Sequence, residues 1–484
     1  MINRSYIYYI LGKLIQVLGA LLVAPMAVGL FYKNSLTVLL SFGATILICE
    51  VVGGLISLKE PDNKDFYAHE GLILAALAWF VLPFFGAIPF VMSGAIPNPI
   101  DAYFESVSGF TTTGASVLSS TMHALPESLL FWRSFTLLIG GMGMLVFIVQ
   151  IIPNFGAKGV YIMRAELPGP VFGKVESRVS KSIRILYFIY LSMTLILALL
   201  IFFGGVPFFE SLLLSMGAAA TGGFNIHPDS ILFYNSPYLE ILLSVAMFIF
   251  GMSFDFFYLI FVGKIKRVLK SEELWWYVGI VIVCTLFITI NIFPVYNNLW
   301  IAFKNALFNV TSVSSTTAYT NVNIEPWPVP SYIVLLFLMF VGGMSGSTTS
   351  GLKVVRISVF IKSIKQEIRR MISPQRVLPI TYDNKQLETP ILRSINFYLA
   401  TYMGVFFIVL LLISFDTQSF SGAFNAVISC LSNIGASLDL LGPSGEYAKL
   451  SAFSKILLSI TMIMGRLEIY PVLILLSRKT WKRS

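Results

Sequence analysis

The chain has 484 residues, of which 56% are hydrophobic and only 12% are charged, and its mean hydropathy is +0.82. Soluble proteins carry about 25% charged residues, so this composition excludes a water-soluble enzyme and indicates a membrane protein. The net charge of +9 is typical of a membrane chain whose excess Lys and Arg lie in cytoplasmic loops, and we expect no nucleic-acid partner.

Apolar segments of roughly 20 residues, the length that crosses a bilayer, predict ten membrane spans in contact with lipid. Two open the chain, at 14–31 and 36–58, and we expect the first to be retained because no small-residue cleavage site follows it. Eight more follow in pairs. The pairs are 72–91 with 129–152, 185–203 with 239–262, 278–293 with 332–360, and 392–415 with 455–476.

The connections between these spans alternate in charge. One set, together with the C-terminal tail, carries most of the Lys and Arg, including the segments 264–270 and 362–376. The other set carries few basic residues. These are Lys33, Arg133, Lys304, Lys449 and Lys455. The positive-inside rule therefore predicts that both termini are cytoplasmic.

Each connection within a pair contains a shorter apolar stretch that ends in small, Ser-, Thr- or Gly-rich residues. The stretches lie at 102–117, 209–226, 302–322 and 423–438. Four copies of span, half-helix, loop and span predict an all-α polytopic membrane protein built from four tandem repeats in a pseudo-fourfold arrangement, preceded by two N-terminal spans. The predicted segments are 1–66 for the N-terminal spans and 67–165, 166–270, 271–376 and 377–484 for the repeats.

The four loops predict a site for a cation. Non-helical backbone at membrane depth is tolerated only where it is buried in protein or lines a water-filled path. Its carbonyl oxygens are cation ligands, glycine permits the backbone angles that turn successive carbonyls the same way, and Thr hydroxyls add further oxygens. The partly negative C-terminal ends of the half-helices also favour a cation. A ring of such loops replaces the hydration shell of a weakly hydrated ion such as potassium.

The loop sequences resemble the four selectivity-filter segments of the Trk/Ktr/HKT superfamily of potassium uptake proteins. They read TTTGAS at 111–116, ATGGFN at 220–225, STTAYT at 315–320 and SNIGAS at 432–437. The resemblance covers essentially the whole chain. The two extra N-terminal spans, a glycine-rich break at 342–351 and the segment MGRLEIYPVLIL at 464–475 are similar to the TrkH/TrkG branch.

This resemblance implies a potassium-selective pore in the bacterial cytoplasmic (inner) membrane, usually a homodimer. It also implies gating by a TrkA-like RCK subunit on the cytoplasmic face, with ATP/ADP or NAD(H) bound by that partner and no cofactor bound by this chain. Potassium is then the substrate. The basic segments 264–270 and 362–376 offer the best docking surface for such a partner.

Carried over by position, the resemblance assigns the potassium-binding residues. They are Thr112, Thr113, Gly114, Ala220, Thr221, Gly222, Thr316, Thr317, Ala318, Asn433, Ile434 and Gly435. Ala318 stands where the family pattern has glycine. A left-handed backbone at a non-glycine residue costs roughly 1 to 2 kcal/mol, so either the loop absorbs the strain or the Ala318 carbonyl turns away. We hypothesise that selectivity for potassium over sodium is weaker here than in an all-glycine filter.

The glycine-rich break suggests a gate. So many small residues cannot form a stable lipid-facing helix, which leaves either close helix packing through small residues or, as the resemblance implies, a flexible intramembrane loop that obstructs the path. The predicted gate residues are Gly342, Gly343, Gly346, Ser347, Thr348, Thr349, Gly351 and Arg466.

Three charged residues lie within a predicted span or beside the glycine-rich break. Arg466 is either half of a buried ion pair, with Asp255 or Glu468, or a positive charge near the permeation path that slows cations. In a continuous helix Glu468 points away from Arg466. We expect Lys353 and Arg356, which follow the glycine-rich break, to anchor at the cytoplasmic interface.

No other chemistry is predicted. The three Cys and three His are scattered, and no phosphate-binding fingerprint is present, so we expect no enzymatic activity. Two function classes remain open: a passive, channel-like potassium pore, including a less selective potassium/sodium pore, and a symporter coupled to protons or sodium. Four parallel repeats favour the pore, because transporters commonly contain inverted halves.

Overall fold

Helices form almost all of the regular structure in this protein. The computed structural model describes residues 3–63, 66–118, 122–141, 143, 179–373, 379–417, 419–435, 446–477 and 480. Helices before the second half-helix are α1 Arg4–Leu21, α2 Val23–Phe31, α3 Leu36–Ile56, α4 Ala68–Met92, α5 Pro99–Phe110, α6 Glu127–Gly141 and α7 Val179–Phe203. The next are α8 Phe208–Ala219, α9 Pro237–Phe250, α10 Phe254–Phe261, α11 Ile265–Leu269, α12 Glu272–Tyr296 and α13 Leu299–Ser314. The last are α14 Val329–Val341, α15 Val354–Ile372, α16 Thr389–Ile413, α17 Phe420–Leu431, α18 Ala452–Arg466 and α19 Tyr470–Leu476.

Six apolar helical segments within the described residues are long enough to cross a membrane, the first of them formed by α1 and α2 together. A seventh span results if α9 and α10, bent by 89°, count as one. The six are Arg4–Phe31, Leu36–Ile56, Ala68–Met92, Arg184–Phe203, Glu272–Tyr296 and Thr389–Ile413. The first begins ten residues before the predicted span at 14–31. These helices confirm the predicted all-α polytopic fold.

The two N-terminal spans pack closely through small residues. A Cβ placed on Gly12 of α1 would lie 2.8 Å from the carbonyl oxygen of Gly53 on α3, which is closer than real Cβ contacts. Only glycine therefore allows the two backbones to approach this far, as in other small-residue helix contacts in membranes.

Four half-length helices, α5, α8, α13 and α17, follow the first long helix of each repeat. Side-chain caps start three of them: Asn98 accepts a hydrogen bond from Ile100 N, Asn298 from Trp300 N, and Ser419 from Gly422 N. Such caps satisfy backbone N–H groups that have no partner within the helix. The half-helices end at the Ser-, Thr- and Gly-rich loops, as the sequence predicts.

The second helix of each later pair is broken rather than continuous. The break at residues 251–253 separates α9 from α10, and the break at 467–469 separates α18 from α19. The spans predicted at 239–262 and 455–476 are therefore interrupted helices, and neither interruption was predicted. The break between α14 and α15 was predicted. In the first repeat α6 ends at Gly141, and the rest of the predicted span at 129–152 lies outside the described residues, apart from Gly143.

The backbone explains both unpredicted breaks. At the first, Gly251 O accepts a hydrogen bond from Met344 N at 2.9 Å, so a neighbouring segment replaces the missing helical partner. At the second, Glu468 and Ile469 adopt left-handed φ values of 57° and 66°. These values are unusual for residues with a Cβ and particularly for a β-branched one. A contact with a distant segment thus accompanies the first break, and two left-handed residues turn the chain at the second.

A two-stranded hairpin lies between α15 and α16 and was not predicted. Its strands, β1 Thr381–Tyr382 and β2 Lys385–Gln386, are antiparallel, with Tyr382 opposite Lys385. Asp383 and Asn384 both have positive φ, as a two-residue hairpin turn requires. The hairpin packs its Tyr382 against Val355 and Val359 of α15.

Candidate functional site

The four loops that follow the half-helices share one backbone conformation. In each, the second residue after the helix donates its N–H to the carbonyl three residues earlier and has a left-handed φ. These residues are Thr112 (53°), Thr221 (54°), Thr316 (56°) and Asn433 (51°). The next residue donates its N–H to the carbonyl five residues earlier, at 2.9, 3.0, 2.9 and 2.8 Å respectively. The residue after that again has positive φ in every loop. This set is Gly114, Gly223, Ala318 and Gly435.

This shared pattern corrects the register of the second loop. The equivalent triplets are 112–114, 221–223, 316–318 and 433–435, so the predicted triplet that begins at Ala220 is one residue early. Ala220 is the C-terminal cap of α8, and its carbonyl accepts a hydrogen bond from the Thr221 hydroxyl at 2.7 Å. The sequence analysis chose Gly222 rather than Gly223 as the last residue of this triplet, because either glycine satisfies the motif.

The loops meet one another closely. A Cβ on Gly114 would overlap the carbonyl oxygen of Gly222, and one on Gly223 would overlap that of Thr317. Likewise, a Cβ on Gly435 would overlap the carbonyl oxygen of Thr113. The first loop therefore contacts the second and the fourth, and the second contacts the third, so the structure brings the predicted residues together.

Each loop presents two backbone carbonyls with no partner in the described part of the chain. These carbonyls belong to residues 112–113, 221–222, 316–317 and 433–434, all of which are buried, and no described residue donates a hydrogen bond to them. Buried carbonyls are nearly always paired. The carbonyl of Gly435 differs, since it accepts a hydrogen bond from the Tyr447 hydroxyl at 3.2 Å. The convergent, unpaired oxygens are suited to meet water or a cation.

A glycine-rich loop at residues 342–353 joins α14 to α15 and lies against these four loops. The Thr348 hydroxyl donates to the carbonyl of Ala219 at 3.1 Å, and Ser350 N donates to the Thr316 hydroxyl at 3.4 Å. Its other side is held by α12, because Ser345 N donates to Glu273 Oε1 at 2.6 Å. The predicted gate residues between Gly342 and Gly351 thus lie next to the ends of the half-helices.

Lys353 sits inside the glycine-rich loop. Its ammonium group donates to the hydroxyl of Thr349 at 2.9 Å, to the carbonyl of Thr349, and at 3.4 Å to Ser347 Oγ and the Met344 carbonyl. The residue is 0% exposed. The expectation that Lys353 and Arg356 anchor at the cytoplasmic interface is wrong, because the loop turns the chain back into the protein and both residues are buried.

Arg466, the last residue of α18, connects three parts of the site. Its Nη2 donates to the carbonyls of Gly140 and Gly141 at 2.6 and 2.7 Å, and these carbonyls are at the C-terminal end of α6. Its Nη1 donates to the Thr348 carbonyl at 2.8 Å and to the Thr112 hydroxyl at 3.2 Å. A cation at a helix C-terminus pairs its free carbonyls and opposes its dipole. Arg466 therefore ties the first repeat to the glycine-rich loop.

Sequence reasoning did not find Gly223, Lys353 or the role of Glu468 at this site. The chain leaves the helix at Leu467, and Glu468 Oε2 accepts from Arg356 Nη2 at 2.6 Å. Charged residues beside a glycine-rich break were the available signal. The interpretation of Lys353 and Arg356 as interface anchors missed that both side chains are buried inside the protein.

Comparisons with known proteins agree with this architecture. Residues 40–483 match the TrkH family, described as cation transport proteins. The potassium uptake protein TrkH of Salmonella typhimurium is 31% identical over 98% of both chains, and TrkG of Escherichia coli is 28% identical over 97% of both. The crystal structure of the potassium transporter TrkH from Vibrio parahaemolyticus matches with a TM-score of 0.89, at 27% identity, over 99% of this chain and 100% of that one. The chain therefore belongs to the TrkH family of cation transport proteins, which are transporters rather than enzymes.

Proposed function

We propose that this protein takes up potassium across the bacterial cytoplasmic membrane through a channel-like path. The observation that carries the proposal is the convergence of unpaired, buried carbonyls at 112–113, 221–222, 316–317 and 433–434. Carbonyl oxygens held by a rigid frame replace the water around a weakly hydrated cation. The names of the relatives, Trk system potassium uptake proteins, point to potassium as that cation.

The filter in this proposal consists of the four equivalent triplets. The predicted residues from Thr112 to Gly114, from Thr316 to Ala318 and from Asn433 to Gly435 belong to it, and Gly223 joins Thr221 and Gly222. The four half-helices point their C-terminal ends at the filter, where their dipoles favour a positive ion. Ala220 has a capping role and is not a ligand.

The glycine-rich loop and Arg466 obstruct the path on the cytoplasmic side of the filter. The supporting observations are the hydrogen bonds from Thr348 and Ser350 to the half-helix ends and those from the buried Arg466 guanidinium group to the carbonyls of Thr348 and Gly140. A guanidinium group near the filter repels a cation by its charge. Opening requires the loop to leave these contacts.

A cytoplasmic nucleotide-binding subunit, TrkA-like, supplies the force for opening, and the transporter works as a homodimer with both termini cytoplasmic. The name of the relatives, Trk system, supports a system with further subunits. Helix α15 is the best contact, since it follows the glycine-rich loop directly and exposes Lys365, Arg369 and Arg370. A pull on α15 would act directly on Lys353 at its first turn.

Reconstituted protein tests the proposal. In liposomes with potassium inside and sodium outside, a channel gives a reversal potential near the potassium equilibrium potential, and an added proton gradient leaves it unchanged. Uptake of radioactive rubidium by cells lacking potassium transporters, with and without the nucleotide-binding subunit, tests the gating. A reversal potential that shifts with the proton gradient would instead identify a proton-coupled symporter, and one that shifts with the sodium gradient would indicate a less selective pore or a sodium-coupled symporter.

A further inference from the structure

A buried carboxylate in the first half-helix binds the chain that leaves the first filter triplet. Glu105 Oε1 accepts hydrogen bonds from Ser116 Oγ at 2.9 Å and from Arg133 Nε at 2.8 Å. Its Oε2 accepts from Val117 N at 3.0 Å. Glu105 is 1% exposed, and Ser116 and Val117 follow Gly114 by two and three residues. The carboxylate therefore holds the outer limb of the first loop against α5.

Arg133 extends this arrangement to the second loop. The residue is 2% exposed, although the sequence placed it among the charges of the outer connections. Its Nη2 donates to Ser116 Oγ at 3.2 Å, and its Nη1 donates to the carbonyl of Asn225 at 3.2 Å. Its guanidinium carbon lies 4.3 Å from the centre of the Phe224 ring. Phe224 and Asn225 follow Gly223 directly, so one side chain contacts both filter loops just beyond their last triplet residue.

We propose that the Glu105–Arg133 ion pair is a positioning element of the selectivity filter that fixes the first and second loops relative to each other. This inference rests on the proposed function. Converging carbonyls repel one another, and a filter discriminates between ions only while its oxygens keep their spacing. A bidentate, planar guanidinium holds several acceptors in a fixed geometry. The pair thus acts through the loops and does not touch the ion.

Energetics favour a positioning role over simple stabilisation. Burying an ion pair costs desolvation that its attraction barely repays, so such a pair is a poor source of stability. Here three polar groups of the two loops, Ser116 Oγ, Val117 N and Asn225 O, are arranged around it, and Phe224 covers the guanidinium. The cost of burying the charges is therefore balanced by contacts made only with the filter loops.

The third loop has a brace of the same kind. Glu240 on α9 accepts at 2.8 Å from Asn321 Nδ2, three residues after Ala318, and at 2.8 Å from Lys304 Nζ on α13. In both cases a side chain on the second helix of one repeat holds the chain beyond the triplet of the next repeat. The recurrence at two positions supports a function in the spacing of neighbouring loops.

The test uses full-length protein in liposomes and two variants that spare the fold. Arg133→Lys keeps a positive charge beside Glu105, but a single ammonium group cannot also reach Ser116 and Asn225. Ser116→Ala removes only the hydroxyl shared by Glu105 and Arg133. Arg393→Lys is the matched control, because Arg393 is an exposed arginine on α16 that takes the same substitution away from the filter loops. Reversal potentials in mixed potassium and sodium give the permeability ratio, which a loss of folded protein does not change.

We expect the potassium-to-sodium permeability ratio to fall roughly tenfold in Arg133→Lys, which corresponds to about 1.4 kcal/mol, and to fall less in Ser116→Ala. The control keeps the wild-type ratio. The positioning role would be overturned if Ser116→Ala keeps the wild-type permeability ratio and Arg133→Lys either keeps it as well or fails to fold. A wild type without potassium-selective current contradicts the proposed function itself and is recognised before any variant is measured.

Discussion

Arg356 Nη2 donates to Glu468 Oε2 at 2.6 Å and links the first turn of α15 to the break between α18 and α19. The guanidinium carbon of Arg356 also lies 4.0 Å from the centre of the Tyr398 ring on α16. Two residues before Glu468, Arg466 binds the Thr348 carbonyl of the glycine-rich loop. The broken last helix thus holds the glycine-rich loop directly through Arg466 and holds its following helix through Glu468.

Glu468→Gln should weaken the closed arrangement. A charge-assisted hydrogen bond contributes roughly 1.5 to 3 kcal/mol, and we expect about 1 kcal/mol here because Glu468 is partly exposed and an amide oxygen still accepts from Arg356. Basal rubidium uptake without the nucleotide-binding subunit should therefore rise severalfold. Glu388→Gln, at the exposed N-cap of α16 where the carboxylate makes no capping hydrogen bond, serves as the control. Equal basal uptake in both variants and wild type would show that this pair does not restrain the gate.

Arg466→Ala should raise the conductance of single open channels. The substitution removes a positive charge that contacts both the Thr112 hydroxyl and the Thr348 carbonyl, so the barrier to a cation falls. It also leaves the carbonyls of Gly140 and Gly141 to water, so we expect a lower melting temperature as well. Arg466→Lys keeps the charge and should keep a conductance close to that of wild type. Unchanged conductance in Arg466→Ala, with reduced expression alone, would indicate a purely structural arginine.

Deleting residues 346–349 should open the path without a partner. This segment carries the Ser347 and Thr349 hydroxyls that accept from Lys353 and the Thr348 hydroxyl that donates to Ala219 O. Without them the loop loses its contacts with the second half-helix, and basal rubidium uptake should approach the level that wild type reaches with its partner. Size-exclusion chromatography and thermal unfolding establish that the deletion protein is folded. If folded protein shows only wild-type basal uptake, the obstruction lies elsewhere.

The fold and the location of the site were predictable because their signals are local. The half-helices can be predicted because each short apolar stretch is followed by residues rich in Ser, Thr and Gly. The glycine-rich break is likewise predicted by its local composition. Four similar stretches at equivalent positions of a repeat also predict that the four loops meet at one place, whereas one such stretch alone predicts no site. These signals predicted the half-helices, the four loops and the end of α14 near Gly342.

The unpredicted parts depend on contacts between distant segments. Met344 binds the backbone at Gly251, and this contact accompanies a break that local sequence does not mark. Arg133 and Lys353 look like loop charges when charges are counted along the chain. Arg133 is instead buried against an acceptor from a distant segment, and Lys353 is buried against acceptors of its own folded loop. The choice between Gly222 and Gly223 likewise depends on the close approach of Gly223 to Thr317 in the next loop.

Ala318→Gly tests the expectation of weak selectivity. Ala318 has a φ of 61°, and its N–H lies 3.2 Å from the Ser312 carbonyl, as the N–H of Gly223 lies 3.3 Å from that of Gly217. The third loop therefore absorbs the strain and keeps the glycine-like path. This removes the physical reason for weaker selectivity, so we expect the potassium-to-sodium permeability ratio of Ala318→Gly to match that of wild type.

Stability provides the second measurement on the same position. Relief of a left-handed alanine gains roughly 1 to 2 kcal/mol, and the extra freedom of glycine in the unfolded chain costs about 0.5 to 1 kcal/mol, so the net gain should be about 1 kcal/mol or less. Gly223→Ala is the matched control: the same backbone region is strained there too, but the new Cβ would overlap the Thr317 carbonyl oxygen. That variant should lose both stability and selectivity. A higher permeability ratio in Ala318→Gly would instead show that alanine displaces its carbonyl during conduction.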